Sequence, residues 1–424
     1  MALLLSQRRY PRWLPPILAL LVLGGCGGGH PQKHPRPQPG AKGNVTVTVR
    51  LDQAIAGRHS ASGFLHALAP GAPPDRLVVP LRPRFWRSDL SRASLTRAVR
   101  LGARYEVVLS DFWGYHQGHR WAKGPPWAHL RRWSALVRRV ARSLRGRRVL
   151  FDVWNEPDDP GFFGGGLRRF LRVYAAAKSA VERELGTRAE IGGPSTSHYL
   201  PHWFSALVRC CRPSFLSWHA TDSSVPTAAV RRQLLATRRA FGARRPLQIN
   251  EFGSPADRFR PGETVGYLAA IEGGGADAAA RACWSQQDCS PGGFDALLTQ
   301  AGEPRAAWWA QRWYALTPPE ARVEAQASDG RVSVLASRGT PRRVLLGQAE
   351  RSSHRAVAIE LVVHGLRGSA GHVTIERLPD AGAAALPRPQ RVADMELKLD
   401  HGTARVRVPE LGPHEAALVT LDSG

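Results

Sequence analysis

Two stretches of the chain end an apolar run on an amide and an acid: VLFDVWNEPD (Val149–Asp158) and LQINEFG (Leu247–Gly253). A buried strand needs neither group at its end, and Pro157 has no N–H to give to a sheet ladder. Both runs make sense if each strand opens into a cleft where its carboxylic acid works. Two carboxyl groups about 5–5.5 Å apart can flank a glycosidic bond: one attacks the anomeric carbon, the other protonates the leaving oxygen, and configuration is retained. Glu156 and Glu251, 95 positions apart, are the candidate catalytic pair.

Such a pair needs a frame that brings distant segments to one rim. From about Ser60 to Leu316, short apolar strands alternate with amphipathic helices. The expected strands are Ser62–Leu68, Arg76–Pro83, Tyr105–Tyr115, Val149–Pro157, Ala189–Ser197, Ser214–Ala220, Pro246–Gly253 and Ala280–Ser285. Continuous apolar runs with crossover helices call for a parallel sheet. Eight βα units in about 250 residues predict an α/β fold, a (β/α)8 TIM barrel over 44–318. After Pro318 the pattern changes to alternating strands separated by turn residues, with no helix of length. Residues 319–424 therefore read as a C-terminal antiparallel β-sandwich, to which the alternating segment 44–52 adds a strand.

In a barrel of this kind the active site forms where the strands end. The fourth strand then delivers Asn155 and Glu156, the seventh Glu251, the sixth His219 and the eighth Trp284. The second delivers Arg82, with Arg84 and Arg87 close behind, and the third Trp113 and Tyr115. Strands four and seven face each other across an eight-stranded mouth, which sets the two glutamates opposite one another.

These motifs resemble the clan A glycoside hydrolases, which carry catalytic glutamates after barrel strands four and seven. Within that clan the chain is most similar to glycoside hydrolase family 39, the β-xylosidase and α-L-iduronidase group. FDVWNEPD (Phe151–Asp158) resembles the acid/base motif, FLSWHA (Phe215–Ala220) the strand-six segment and QINEFG (Gln248–Gly253) the nucleophile strand. The resemblance implies Glu156 as general acid/base, with a raised proton affinity, and Glu251 as nucleophile. It implies Asn155 as a donor to the sugar 2-hydroxyl and Arg82 as the cation beside Glu251. Trp284 becomes a floor for a sugar ring and His219 an orienting group, while Trp113, Tyr115, Trp121 and Trp127 offer a platform. Many relatives have a tyrosine two residues after the strand-six histidine, but this chain has Thr221, for which Tyr199 or Tyr115 could substitute. No metal or organic cofactor is needed for this chemistry.

The N-terminus, MALLLSQRRYPRWLPPILALLVLGGC, resembles a lipoprotein signal peptide (1–26) whose lipidated residue is Cys26. Its apolar run Leu14–Leu23 is short for a membrane span. A Gly/Pro-rich tether, 27–43, follows. These features predict an exported, cell-envelope lipoprotein held to a membrane by its lipid. In an oxidising compartment the other four cysteines can pair. Cys283 and Cys289 enclose a short loop, Cys210 and Cys211 are adjacent, and three full pairings are open. A formal charge of +25 reads first as arginine bias on solvated helix faces, with attraction for an anionic partner such as a uronic-acid polymer as the alternative. No zinc-finger spacing, RNA-binding signature or phosphate loop accompanies the arginines, so nucleic acid is not expected. The rival readings are a carbohydrate-binding surface lipoprotein without turnover and a polyanion-binding adhesin.

Overall fold

The computed structural model describes residues 44–114, 124–349 and 355–423. The signal peptide, Cys26, the tether, Tyr115 and Trp121 lie outside the described residues. No helix among the described residues is long and apolar enough to cross a membrane.

The chain enters on β1 (Val45–Ala54), then builds a barrel of eight parallel strands. These are β2 (Gly63–Leu65), β3 (Phe85–Ser88), β4 (Arg104–Val108), β5 (Val149–Asp152), β6 (Glu190–Thr196), β7 (Leu216–Ala220), β8 (Leu247–Phe252) and β9 (Ala278–Arg281). Pairing of Phe64 with Arg281 closes the ring. The crossovers are α2 (Arg92–Arg100), α3 (Leu130–Ser143), α4 (Gly166–Leu185), α5 (Pro201–Cys211), α6 (Thr227–Phe241) and α7 (Pro261–Gly274), and α8 (Ala306–Ala315) follows β9. Their apolar stripes bury residues such as Trp133 and Val137 on α3, and Phe170, Val173 and Ala177 on α4. The Ser91 hydroxyl caps α2 by accepting from the Ser94 N–H at 3.3 Å.

The second expected strand is corrected. Asp75–Val78 forms a short helix, α1, and Val79–Leu81 a 3₁₀ turn, because Pro74 and Asp75 start a helix and burial takes Leu77, Val78 and Leu81 together. The strand itself is Phe85–Ser88, only four residues long. The third and fourth expected strands are also shorter than read, ending at Val108, where a 3₁₀ helix Leu109–Trp113 follows, and at Asp152.

The barrel interior is layered. Phe85, Leu150, Phe215, Ala278 and Ala280 form an apolar plug. Gly192 makes room for it, since a Cβ there would stand 2.3 Å from the Phe215 ring. One side-chain step further along the strands, the inward positions turn polar: Arg87, Asp152, Ser217 and, on the intervening strands, Glu106 and Asn250, all buried. Above that layer lies the mouth.

After α8 the chain forms β10 (Arg322–Ala327), β11 (Val332–Ser337), β12 (Arg342–Gln348), β13 (Val357–His364), β14 (Ala370–Leu378), β15 (Gln390–Lys398), β16 (Thr403–Leu411) and β17 (Ala416–Ser423). Their order, β15-β14-β17-β12-β11-β10-β1-β13-β16, turns at the two-residue pairing of β10 with β11 and folds over a core of Val, Leu, Ile and Ala. β1 does join this sandwich, antiparallel to β10 but parallel to β13, so the sandwich is mostly rather than wholly antiparallel. The alternating stretch Met395–Val408 is the end of β15 and most of β16. The two are joined through Asp400–Thr403 and do not pair with each other. Against the sandwich, the barrel's α7 approaches closely: the Gly262 N–H donates to the His414 carbonyl at 2.7 Å, and a Cβ at Gly262 would lie 2.3 Å from the Gln348 carbonyl oxygen.

Candidate active site

Glu251 sits near the end of β8 at an irregularity in its pairing with both neighbours, where Trp218 faces Ile249 but His219 faces Glu251. In a regular strand, successive side chains point to opposite faces. The bulge re-aims one of them, so Asn250 and Glu251 both reach the barrel axis. Asn250 contacts the interior layer and Glu251 the mouth. Glu156 lies just beyond β5 with a φ of 45°, and its N–H donates to the Ser195 carbonyl at 3.0 Å. A left-handed glutamate is an uncommon conformation that tertiary contacts must hold, as happens at functional sites.

The result joins the two expected acids. One oxygen of Glu156, one oxygen of Glu251 and one nitrogen of His219 all lie within 4.8 Å of one another. His219 Nδ1 is 2.8 Å from Glu156 Oε1 and 3.8 Å from Glu251 Oε2. Both carboxylates are partly exposed and His219 is buried. Three such donors could in principle grip a divalent cation, but the Arg87 guanidinium at 2.7 Å from Glu251 puts a competing positive charge on the same carboxylate.

Arg87, 1% exposed, is the cation of the site. Its Nη1 donates to Glu251 Oε1 at 2.7 Å, and its Nη2 donates to Asp152 Oδ2 at 2.6 Å and to Asn155 Oδ1 at 2.9 Å. Its Nε lies 3.3 Å from Glu106 Oε1. Burial works against the charge, yet Asp152, Glu251 and Glu106 together hold the guanidinium more firmly protonated than usual. The expectation for Arg82 is thus corrected: Arg82 is exposed and precedes β3 at the opposite end of that strand, and the fork belongs to Arg87. The difference follows from the second strand, which is Phe85–Ser88 and ends on Arg87 and Ser88, not on Arg82. The sequence did hold a signal, because Ser91 is a helix N-cap, and the strand feeding α2 had to end just before it.

The remaining residues divide. Trp284 is 37% exposed, and its Nε1–H donates to the Gly253 carbonyl at 3.1 Å, beside the end of β8. Asn155 is held by Arg87 and by its own N–H, which donates to Ser110 Oγ at 3.2 Å. Trp113 is corrected to a core residue: it is 1% exposed, edge-on to Trp133, and donates to the Gly124 carbonyl. Trp127 packs edge-on against Phe163 with Arg169 over its ring. Tyr199 does not replace the missing tyrosine, for its ring packs on Trp218 and its hydroxyl accepts from Thr237 on α6. Cys283 pairs with Cys289, and Cys210 with Cys211.

Electrostatics set the protonation pattern. Burial would raise Glu156, but the hydrogen bond and charge of His219, with Arg87 and His198, outweigh it and hold the acid below the usual carboxylate range. Burial likewise opposes a charged His219, but Glu251 and Glu156 raise it. The pairing thus works against the raised affinity expected of Glu156, lowering the acid and raising the imidazole. Sequence reading missed four further groups at the rim and floor. His66, at the end of β2, is lowered by burial, and its Nδ1 lies 3.2 Å from Ser88 Oγ. Asp111, beyond β4, is pushed up to about 7 by burial. Glu106 and Asp152 lie beneath Arg87.

The fold is shared with solved structures. A protein of Neocallimastix frontalis matches with a TM-score of 0.74 at 17% identity, over 90% of this chain and 100% of its own. A glycoside hydrolase family 39 enzyme of Xanthomonas axonopodis pv. citri gives 0.61 at 15% identity over 89% and 97%. A family 30 endoxylanase of Clostridium papyrosolvens gives 0.59 at 13% over 89% and 100%. At such identities the likeness establishes the architecture alone, a (β/α)8 barrel with a β-sandwich. No protein-family model matches the chain, and no curated protein matches it in sequence.

Proposed function

We propose that this chain is a retaining glycosidase that cleaves O-glycosidic bonds with Glu251 as nucleophile and Glu156 as acid/base. The observation that carries the reading is the approach of the two carboxylates to within 4.8 Å across the mouth. That spacing suits attack by one of them, whereas an inverting pair about 6.5–9.5 Å apart would leave room for water between. Neighbours of the same fold named as a β-xylosidase from Caulobacter crescentus and as an endoxylanase support a glycan substrate.

Arg87 holds one oxygen of Glu251 by a charge-assisted hydrogen bond and leaves the other for the cleft. A bound sugar covers the exposed part of Glu156, and the added desolvation raises its proton affinity. The proton then passes from His219 Nδ1 to Glu156 across their hydrogen bond. Glu251 bonds to the anomeric carbon as the C–O bond breaks, and the leaving oxygen takes the proton from Glu156. Water, losing a proton to Glu156, then displaces Glu251 and frees the sugar. Trp284 offers an apolar face to the ring, and Asn155 a donor to its 2-hydroxyl. The N-terminal sequence supports export and a lipid anchor at Cys26, and the charge balance is compatible with an anionic glycan.

The test is sugar release by a soluble form starting near Gly43, from polysaccharides and aryl glycosides, beside Glu251→Gln and Glu156→Gln. Activity lost in both variants supports the reading. Binding of a glycan without release by the unaltered protein overturns it.

A further inference from the structure

The interior layer beneath the two glutamates contains more acid than the reaction uses. Arg87 on β3 is met by three carboxyl groups: Glu251 from β8, Asp152 from β5 and Glu106 from β4. Glu106 and Asp152 are each 0% exposed. Their remaining oxygens, Glu106 Oε2 and Asp152 Oδ1, are buried without a hydrogen-bond partner among the described residues. Asn250 Nδ2, the other donor of the layer, is 3.3 Å from Glu106 and 3.4 Å from Asp152 and makes its best bond, 2.8 Å, to Ser195 Oγ. With all three acids ionised, one guanidinium would face three negative charges, two of them on carboxyls closed to water. Buried charge without a counter-charge is avoided by neutralising a group.

The geometry selects the group. Asp152 and Glu251 each take a short bond from a terminal guanidinium nitrogen, 2.6 and 2.7 Å, as charge-assisted pairs do. Glu106 stands 3.3 Å from Nε and makes no aligned bond with it. We propose that Glu106 is a positioning residue that acts through Arg87: it remains a neutral carboxylic acid while the enzyme works, and so leaves the guanidinium fork to Asp152 and Glu251. Ionised, it would draw Arg87 toward the barrel floor and loosen the grip on the nucleophile. The inference rests on the glycosidase reading for its consequence, though not for the protonation itself.

The charged and titratable groups facing Glu106 are Arg87, Asp152 and, on its own strand, Arg104, with Glu251 beyond the guanidinium. Burial first and Asp152 second push its carboxyl up to about 8. The acid is therefore neutral below that pH and ionised above it.

Two measurements test this. The first is the pH profile of kcat/KM on an aryl glycoside whose leaving group departs without protonation, which removes the acid role of Glu156 from the alkaline limb. The native enzyme should lose about tenfold per pH unit above about 8, while Glu106→Gln raises the ratio of activity at pH 9.5 to that at pH 7 by about tenfold or more. Where that variant does not fold, Asn250→Ala serves, because it removes a donor that favours ionised Glu106 and should move the limb upward. An alkaline limb unchanged by either substitution overturns the proposal. The second is infrared difference spectroscopy at pH 7, which should show a buried protonated carboxyl that vanishes in Glu106→Gln. Its absence from the native protein also overturns the proposal. Should no glycoside be cleaved while the infrared signal is present, the glycosidase reading fails and the neutral Glu106 stands.

Discussion

The barrel and the sandwich treat charge in opposite ways. The barrel places Arg87, Glu106 and Asp152 in its interior and covers them, whereas Arg322, at the junction with the barrel, is the one buried ionisable side chain among the described residues of the sandwich. Elsewhere in the sandwich charges pair in solvent, as Arg405 with Glu360 and Arg391 with Asp394. Burying ionised groups is costly, and apolar side chains of similar volume often stabilise as well or better. The sandwich takes the cheaper course. The barrel takes the costlier course in the layer beneath Glu251 and again outside it, at Glu263, Arg281 and Asp295.

That contrast can be broken from its strongest point downward. Glu251→Gln should reduce kcat on any accepted glycoside by about 10⁴-fold or more while leaving the melting temperature near the native value, checked by sugar release and calorimetry. Next comes Arg87→Met, which leaves three carboxyl groups around an uncharged side chain. It should cost about 3–5 kcal/mol in denaturant unfolding and most of the activity, and a variant as stable as the native protein would remove the case for a buried charge centre. In the sandwich, Leu361→Ala is a plain cavity in an apolar core. A loss of about 2–5 kcal/mol is expected, with KM unchanged in whatever fraction stays folded. Smallest is Arg405→Ala, where both partners are largely exposed. Urea unfolding should shift by no more than about 0.5 kcal/mol.

The pH dependence of stability sharpens the same comparison. Folded Glu106 keeps its proton up to about 8, whereas the unfolded chain releases it near the ordinary glutamate value. The native state then binds the extra proton, so this group's contribution falls as pH rises from about 4.5 to about 8. Thermal melts across that window should show a slope that Glu106→Gln reduces. Exposed acids of the sandwich such as Glu360 should leave no such mark.

Much of this was legible in the chain. Glu156, Glu251, His219 and Trp284 were found because each ends an apolar run, and apolar runs with intervening amphipathic helices specify a parallel barrel whatever their order in space. Arg87 was misassigned to Arg82 because a four-residue strand carries too little pattern to compete with the apolar run RLVVPL, which the fold uses as a helix and turn. Trp113 was read as a platform because sequence reports that a tryptophan follows a strand, not which way it turns. The protonation of Glu156 was expected high, since the sequence could not show that His219 would stand 2.8 Å away.

By itself, then, the sequence determined the alternation of elements, the strand ends that carry the acids and the change of character after Pro318. These depend on local periodicity, which a chain records directly. Only the tertiary structure decided which arginine meets Glu251, that His219 pairs with Glu156 and that Glu106 lies buried beneath the site. Those are set by strand register, by the bulge at Glu251 and by burial, each a property of segments far apart in the chain.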